Sequence, residues 1–109
     1  MTPYPFGPEL PYYAVIFRSR RAPDGLPSYE DAAERMDALA RAMPGYLGHH
    51  SARGPDGVGI AVSYWRTKDD IARWRAHPEH AAVIEAARRG WYDWTVSETA
   101  LVERASRHP

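Results

Sequence analysis

Apolar positions along the chain first form a dense run, then recur at three- and four-residue intervals, then fill two short runs. They return to helical intervals and end in alternation. YYAVIFR at 12–18 is rich in β-branched and aromatic residues and predicts a strand. RRAPDGLP at 20–27 carries Pro-Asp-Gly turn chemistry. Ser28 with Asp31 gives a helix-capping signature, and Tyr29, Ala32, Ala33, Met36, Leu39, Ala40 and Met43 then mark one stripe of a helix that Pro44-Gly45 ends. YLGHHSAR at 46–53 and VGIAVSYWR at 58–66 flank Gly54-Pro55-Asp56-Gly57 and predict a hairpin. Thr67 with Asp70 repeats the capping signature, starting a helix in which Ile71 and Trp74 share a face. Pro78 interrupts that helix and opens a second segment running to Gly90, since proline suits a first helical turn. WYDWTVSETALVER at 91–104 reads as the last strand, with Val96, Ala100 and Val102 on one face.

The order β-α-β-β-α-β with right-handed crossovers predicts an α+β, ferredoxin-like fold, a four-stranded antiparallel sheet with its helices on one face. The other face would then present Ile60, Val62 and Tyr64 to water, and an apolar sheet face of that size predicts a partner. A homodimer packed sheet to sheet is the simplest solution. Residues 1–11, with four prolines and one glycine, read as an extended N-terminal arm, 12–104 as the single domain, and 105–109 as a frayed tail.

Composition narrows the classes of function. Lys+Arg equals Asp+Glu at 14 each, a formal net charge of zero, which argues against a nucleic-acid partner. The absence of cysteine removes disulfides, thiolate metal sites and cysteine nucleophiles. No apolar run spans a bilayer and the opening residues lack a signal-peptide pattern, so no membrane partner and a cytoplasmic location are expected.

Candidate chemistry concentrates in SYWRTKDDIARWRAHPEH at 63–80. With Gly54–Gly57 as a four-residue loop, Arg53 faces Val58 and His50 faces Ala61. His50, Ala61, Ser63 and Trp65 then share the helix-facing side, and a loop one residue different would exchange His50 for His49. Ala61 and Ser63 are small, so a hollow bordered by Trp65, His50, Trp74 and Trp91 could take a flat aromatic molecule. The tryptophans serve equally as plain packing. His50 and His80 are the candidate general bases, because imidazole titrates near neutral pH. Ser63 would orient substrate by hydrogen bonding. His77 and His80, set across a helix start with no third ligand in place, do not make a metal site. Arg53, Arg88 and Arg89 read as solvated charges.

PGYLG at 44–48, SARGPDGVGIAVSYW at 51–65, Trp74, Glu79-His80 and Trp91-Tyr92, taken in order, resemble the antibiotic biosynthesis monooxygenase (ABM) family from about residue 12 to 104. The resemblance implies a dimeric α+β barrel. One branch of that family oxygenates polyketide anthrones with O2 and no metal or flavin, by deprotonation and stabilisation of the anion. That branch's tryptophan corresponds to Trp65, while its asparagine, histidine and tyrosine fall on Ala61, Ala52 and Ile71. A second branch degrades haem. Its tryptophan matches Trp74, its ligating histidine falls on Ile84, and YYAVIFR lacks its asparagine. The resemblance implies a cofactor-independent monooxygenase acting on a small aromatic or polyketide-like substrate. The alternatives are a non-catalytic binding or stress-related dimer, or a haem-binding relative with altered ligation.

Overall fold

The computed structural model describes residues 7–23 and 28–108, with side chains described for 7–23 and 31–108. The expectations for residues 1–6, the loop at 24–27, Pro109 and the side chains of Ser28 and Tyr29 lie outside these.

The strands are β1 (Tyr12–Arg21), β2 (Tyr46–Arg53), β3 (Val58–Trp65) and β4 (Tyr92–Val102). They form one antiparallel sheet in the order β2-β3-β1-β4. The helices are α1 (Ser28–Arg41), α2 (Lys68–Ala76) and α3 (Pro78–Ala86), and a π-helical turn, Ala87–Trp91, leads into β4. This is the expected ferredoxin-like α+β arrangement, with the second helix divided at His77-Pro78.

Local chemistry explains the boundaries. Thr67 caps α2: its hydroxyl oxygen accepts from the Asp70 N–H (3.1 Å) and its proton goes to the Asp70 carboxylate (2.8 Å). Arg73 also donates to that carboxylate (2.6 Å). The cap packs against the Pro44-Gly45 turn. Gly45 has φ +79°, and a Cβ there would overlap the Asp70 side chain. His77 caps α3, its Nδ1 accepting from the Glu79 N–H at 3.2 Å, with Pro78 in the first turn.

The hairpin register differs from the expected one. Gly57 N–H donates to Gly54 C=O and Gly54 N–H to Val58 C=O, so the loop is the three residues Pro55-Asp56-Gly57. Gly57 takes φ +86°, the left-handed position that closes a type I turn with a bulge. Arg53 therefore pairs with Gly59 rather than Val58, and residues 48–53 of β2 slide by one, while Tyr46 stays opposite Trp65. His49 now lies opposite Ser63, and His50 opposite Val62. A second irregularity between Tyr46 and Gly48 leaves Leu47 unpaired, so Tyr46 and His49, three apart, point to the same side.

The core is small: Trp65, Ile71, Ala40, Trp91, Tyr12 and Ala14 are its buried apolar residues. The opposite face of the sheet carries Val58, Ile60, Trp94 and Val96, all exposed, with Ile60 at 49%. Arg53, expected as a solvated charge, is exposed, and its guanidinium also lies over the sheet. It donates to Gly57 C=O (2.5 Å) and to the hydroxyl of fully buried Ser19 (3.0 Å). A Cβ on Gly59 would meet its guanidinium at 2.7 Å. At the other end of the sheet, Arg66 donates to Glu9 C=O and Pro11 C=O, while Arg107 donates to Pro8 C=O and the Tyr12 hydroxyl. These bonds tie the residues before β1 to the sheet.

Candidate functional site

Trp65 ends β3 on the helix-facing side and is completely buried. Its indole N–H donates to the Ser63 hydroxyl two residues back on the same face (2.9 Å). Trp74 of α2 lies nearly parallel to it, with centroids 6.3 Å apart and planes 24° apart. His80 of α3 then stacks on Trp74 at 4.2 Å and 8°. The break at His77-Pro78 makes this contact possible, because it turns α3 back so that a residue six positions on faces Trp74. His80 Nδ1 stands 3.1 Å from Trp74 C=O. A carbonyl only accepts, so Nδ1 carries the hydrogen and the neutral ring keeps its lone pair on Nε2. Burial pushes the imidazole pKa down against the upward effect of that hydrogen bond, with the Arg75 and His77 charges adding to the fall. His80 is thus neutral at pH 7, in the tautomer of a general base.

The other candidates are distributed differently from expectation. His50 sits on the open face, where it meets the edge of Tyr64 (5.8 Å), because the hairpin loop is one residue shorter than assumed. Trp91 is buried at the far end of the sheet. Its carbonyl accepts from Ala22 N–H, whereas Trp65 pairs with Tyr13, so about 30 Å of extended β1 separates the two positions. Trp65, Trp74, His50 and Trp91 do not border one hollow. Trp65, Ser63, Trp74 and His80 do form one cluster, and its indoles pack against each other.

Sequence reasoning missed a second cluster beside the first. Tyr46 meets the edge of Trp65 (5.5 Å, 84°), and its hydroxyl lies 2.8 Å from His49 Nδ1. Asp37 of α1 reaches the same nitrogen at 3.2 Å and also accepts from Arg41 (2.9 Å). A carboxylate cannot donate, so Nδ1–H is shared between Asp37 and the Tyr46 oxygen, leaving Nε2 as acceptor. Burial raises the Tyr46 pKa, partly offset by Arg41 and reinforced by Asp37, so the phenol stays protonated. Gly48 inside a strand pattern was the available signal, since such a glycine marks a bulge that re-aims its neighbours. Arg35 of α1 grips Glu79 of α3 through two 3.0 Å bonds and joins the helices above both clusters.

Among the described residues, no group of three or more His, Cys, Asp or Glu side chains is placed to hold a metal ion. Ile84, the position onto which the haem-degrading branch's ligating histidine falls, has no donor atom.

A helix layer on one side of a 2-3-1-4 sheet, with an indole–imidazole stack between them, defines a ferredoxin-like α+β domain. The chain matches the family model described as antibiotic biosynthesis monooxygenase over residues 12–86, and it belongs to that family. It is 47% identical over 97 residues to the uncharacterized protein YqjZ of Bacillus subtilis, covering 89% of this chain and 84% of that one. Among solved structures it superposes on Rv0793 of Mycobacterium tuberculosis with a TM-score of 0.74 at 18% identity, covering 89% of this chain and all of that one. It also superposes on SnoaB of Streptomyces nogalater, a cofactor-independent oxygenase, with a TM-score of 0.68 at 23% identity. That match covers 90% of this chain and 97% of SnoaB. Both structural likenesses speak to the fold. No helix among the described residues is long and apolar enough to cross a membrane.

Proposed function

We propose that the protein is a cofactor-independent oxygenase acting on a small aromatic or polyketide-like substrate with an acidic C–H or O–H bond. The observation that carries this reading is His80, neutral, half-buried, and tautomerically fixed by Trp74 C=O with Nε2 as acceptor. Nε2 would take the substrate proton. The resulting carbanion or phenolate reduces O2 directly: for a methylene carbon, one oxygen atom becomes the new carbonyl and the other leaves as water with the two hydrogens. Trp74 and Trp65 form the wall that orients His80, and Ser63 keeps the Trp65 indole in place. The base is assigned to His80 rather than His50, which lies on the far side of the sheet.

The test is oxygen uptake with an anthrone under air. Turnover should persist with a chelator present and fall on the order of a hundredfold in His80→Ala, the usual worth of a positioned base. No uptake by the wild-type protein across an anthrone panel overturns the reading. One observation favours a second: Trp65 is fully buried and its N–H is spent on Ser63. Saturable anthrone binding without uptake would make the protein a binding dimer rather than an enzyme.

The exposed Val58, Ile60, Trp94 and Val96 support a homodimer joined through the open sheet face. Near-zero net charge places little repulsion against it.

A further inference from the structure

The two flanks of α2 differ. At about 100° per residue, Trp74 projects to one side of Ile71, towards α3. Lys68, Ala72, Arg75 and Ala76 project to the other, towards β4, whose helix-side residues Thr95, Ser97 and Thr99 are uncovered. Between them runs a groove of about 500 Å³, lined by Lys68, Ile71, Ala72, Arg75, Ala76 and Thr99. Its floor is apolar and its polar lining is two cations and one hydroxyl. Among the described residues, neither Lys68 nor Arg75 is in an ion pair, although arginines elsewhere on the helices, such as Arg35, Arg41 and Arg73, each have a carboxylate.

We propose that this groove between α2 and β4 binds a small, flat apolar molecule carrying a negative charge, with Lys68 and Arg75 holding the anionic group. The volume suits a two- or three-ring compound. Apolar floor and cationic rim complement an aromatic carboxylate or an ionised phenol better than a neutral ring or a polar anion such as phosphate. The guanidinium of Arg75 offers the forked, bidentate geometry that a carboxylate matches, and Thr99 can donate a further hydrogen bond. Arg75 is also close enough for its charge to act on His80, so an anion held there lies within electrostatic reach of that imidazole. Binding itself does not depend on the reaction proposed above.

The experiment is an amide NMR titration of the full chain with 2-naphthoate, and with 2-naphthalenemethanol as the neutral match. Naphthoate should give saturable shifts centred on Lys68, Ile71, Ala72, Arg75, Ala76 and Thr99, and should bind on the order of tenfold tighter than the alcohol. The double variant Lys68→Gln/Arg75→Gln, both positions exposed and outside the core, should erase that preference while its spectrum elsewhere stays unchanged. Thr99→Trp, which fills the groove, should abolish binding of both compounds. Equal affinity for the two compounds, shifts centred elsewhere, or an undiminished preference in the double variant overturns the proposal. Oxygen uptake separates the two readings. Naphthoate bound in the groove with no anthrone turnover leaves the groove standing and removes the oxygenase, and turnover without groove shifts does the reverse.

Discussion

His49 and His50 are consecutive residues with opposite surroundings, and they represent the two faces of the sheet. On the helix side, His49 meets Asp37 and Tyr46, Tyr46 meets Trp65, Trp65 meets Trp74, and Trp74 meets His80. On the other side, His50 lies beside Tyr64 on a face where Val58, Ile60, Trp94 and Val96 stand open. Charges on that face are paired, Arg18 with Glu98 at 3.2 Å and Arg20 with Asp93 at 3.5 Å. One face is covered in part by the chain's own helices, which leave Thr95, Ser97 and Thr99 of β4 open. The other carries no helix among the described residues, and its paired charges would let a partner cover it without stranding an ion.

Substitutions on the two faces should therefore separate fold from assembly. Trp65→Ala has the largest expected effect, because it empties the largest fully buried side chain and removes the surface on which Trp74 and Tyr46 rest. Urea unfolding should show a loss of about 3–5 kcal/mol, a large part of a small domain's stability. Ile60→Asp, on the open face, should leave the unfolding of the isolated subunit within about 1 kcal/mol of wild type. It should shift gel filtration from a dimer to a monomer. A monomeric wild-type protein, or an Ile60→Asp dimer, would remove the distinction between the faces.

Smaller changes sharpen the contrast at the histidine pair. His49→Ala loses the contacts to Tyr46 and Asp37 and should cost about 1 kcal/mol, since a typical net hydrogen bond is worth that much. His50→Ala, measured at concentrations where the subunit is monomeric, should stay within about 0.5 kcal/mol. Urea midpoints of the two variants, side by side, decide it. Equal losses would mean that His50 is held as firmly as its neighbour and that the register places little chemistry on one side.

Element order, the two capping residues of α2 and the apolar open face were legible because each rests on local chemistry or on a repeating period. Thr67 and Asp70 act within four residues, and Ile60, Val62 and Tyr64 alternate along one strand. The family resemblance at 44–65 also pointed to the right fold. The side assigned to His50 was not legible, because strand parity depends on whether Gly57 belongs to the loop alone or also closes a bulge. One residue in the count sends the side chains of residues 48–53 to the opposite face. Trp91 was misplaced for a related reason: composition marks it as buried without saying at which end of the sheet. The Asp37–His49–Tyr46 cluster needed two facts at once, the shifted hairpin and the bulge after Tyr46, together with the docking of α1. Spacing along the chain carries none of these.

The smallest expected effect belongs to His80 and concerns acid rather than mutation. Burial keeps its folded pKa below the ordinary value of 6.5, outweighing the Trp74 carbonyl that favours the protonated ring, while Arg75 and His77 push the same way as burial. The unfolded chain thus takes up a proton from this residue at a higher pH than the folded one does. The contribution is present in full above pH 6.5 and is lost as the pH falls from there through the depressed folded value. The His80 side chain is only partly buried, so solvent screening keeps the effect modest. Unfolding midpoints measured from pH 8 down to 5 should fall for the wild type, and His80→Gln should remove part of that slope while keeping a ring-sized amide near Trp74. An NMR titration of the His80 ring giving a pKa at or above 6.5 would contradict the direction and also weaken the assignment of a neutral base. A slope unchanged in His80→Gln would mean that the acid sensitivity does not come from His80, and the contrast between the faces would then not rest on the aromatic stack.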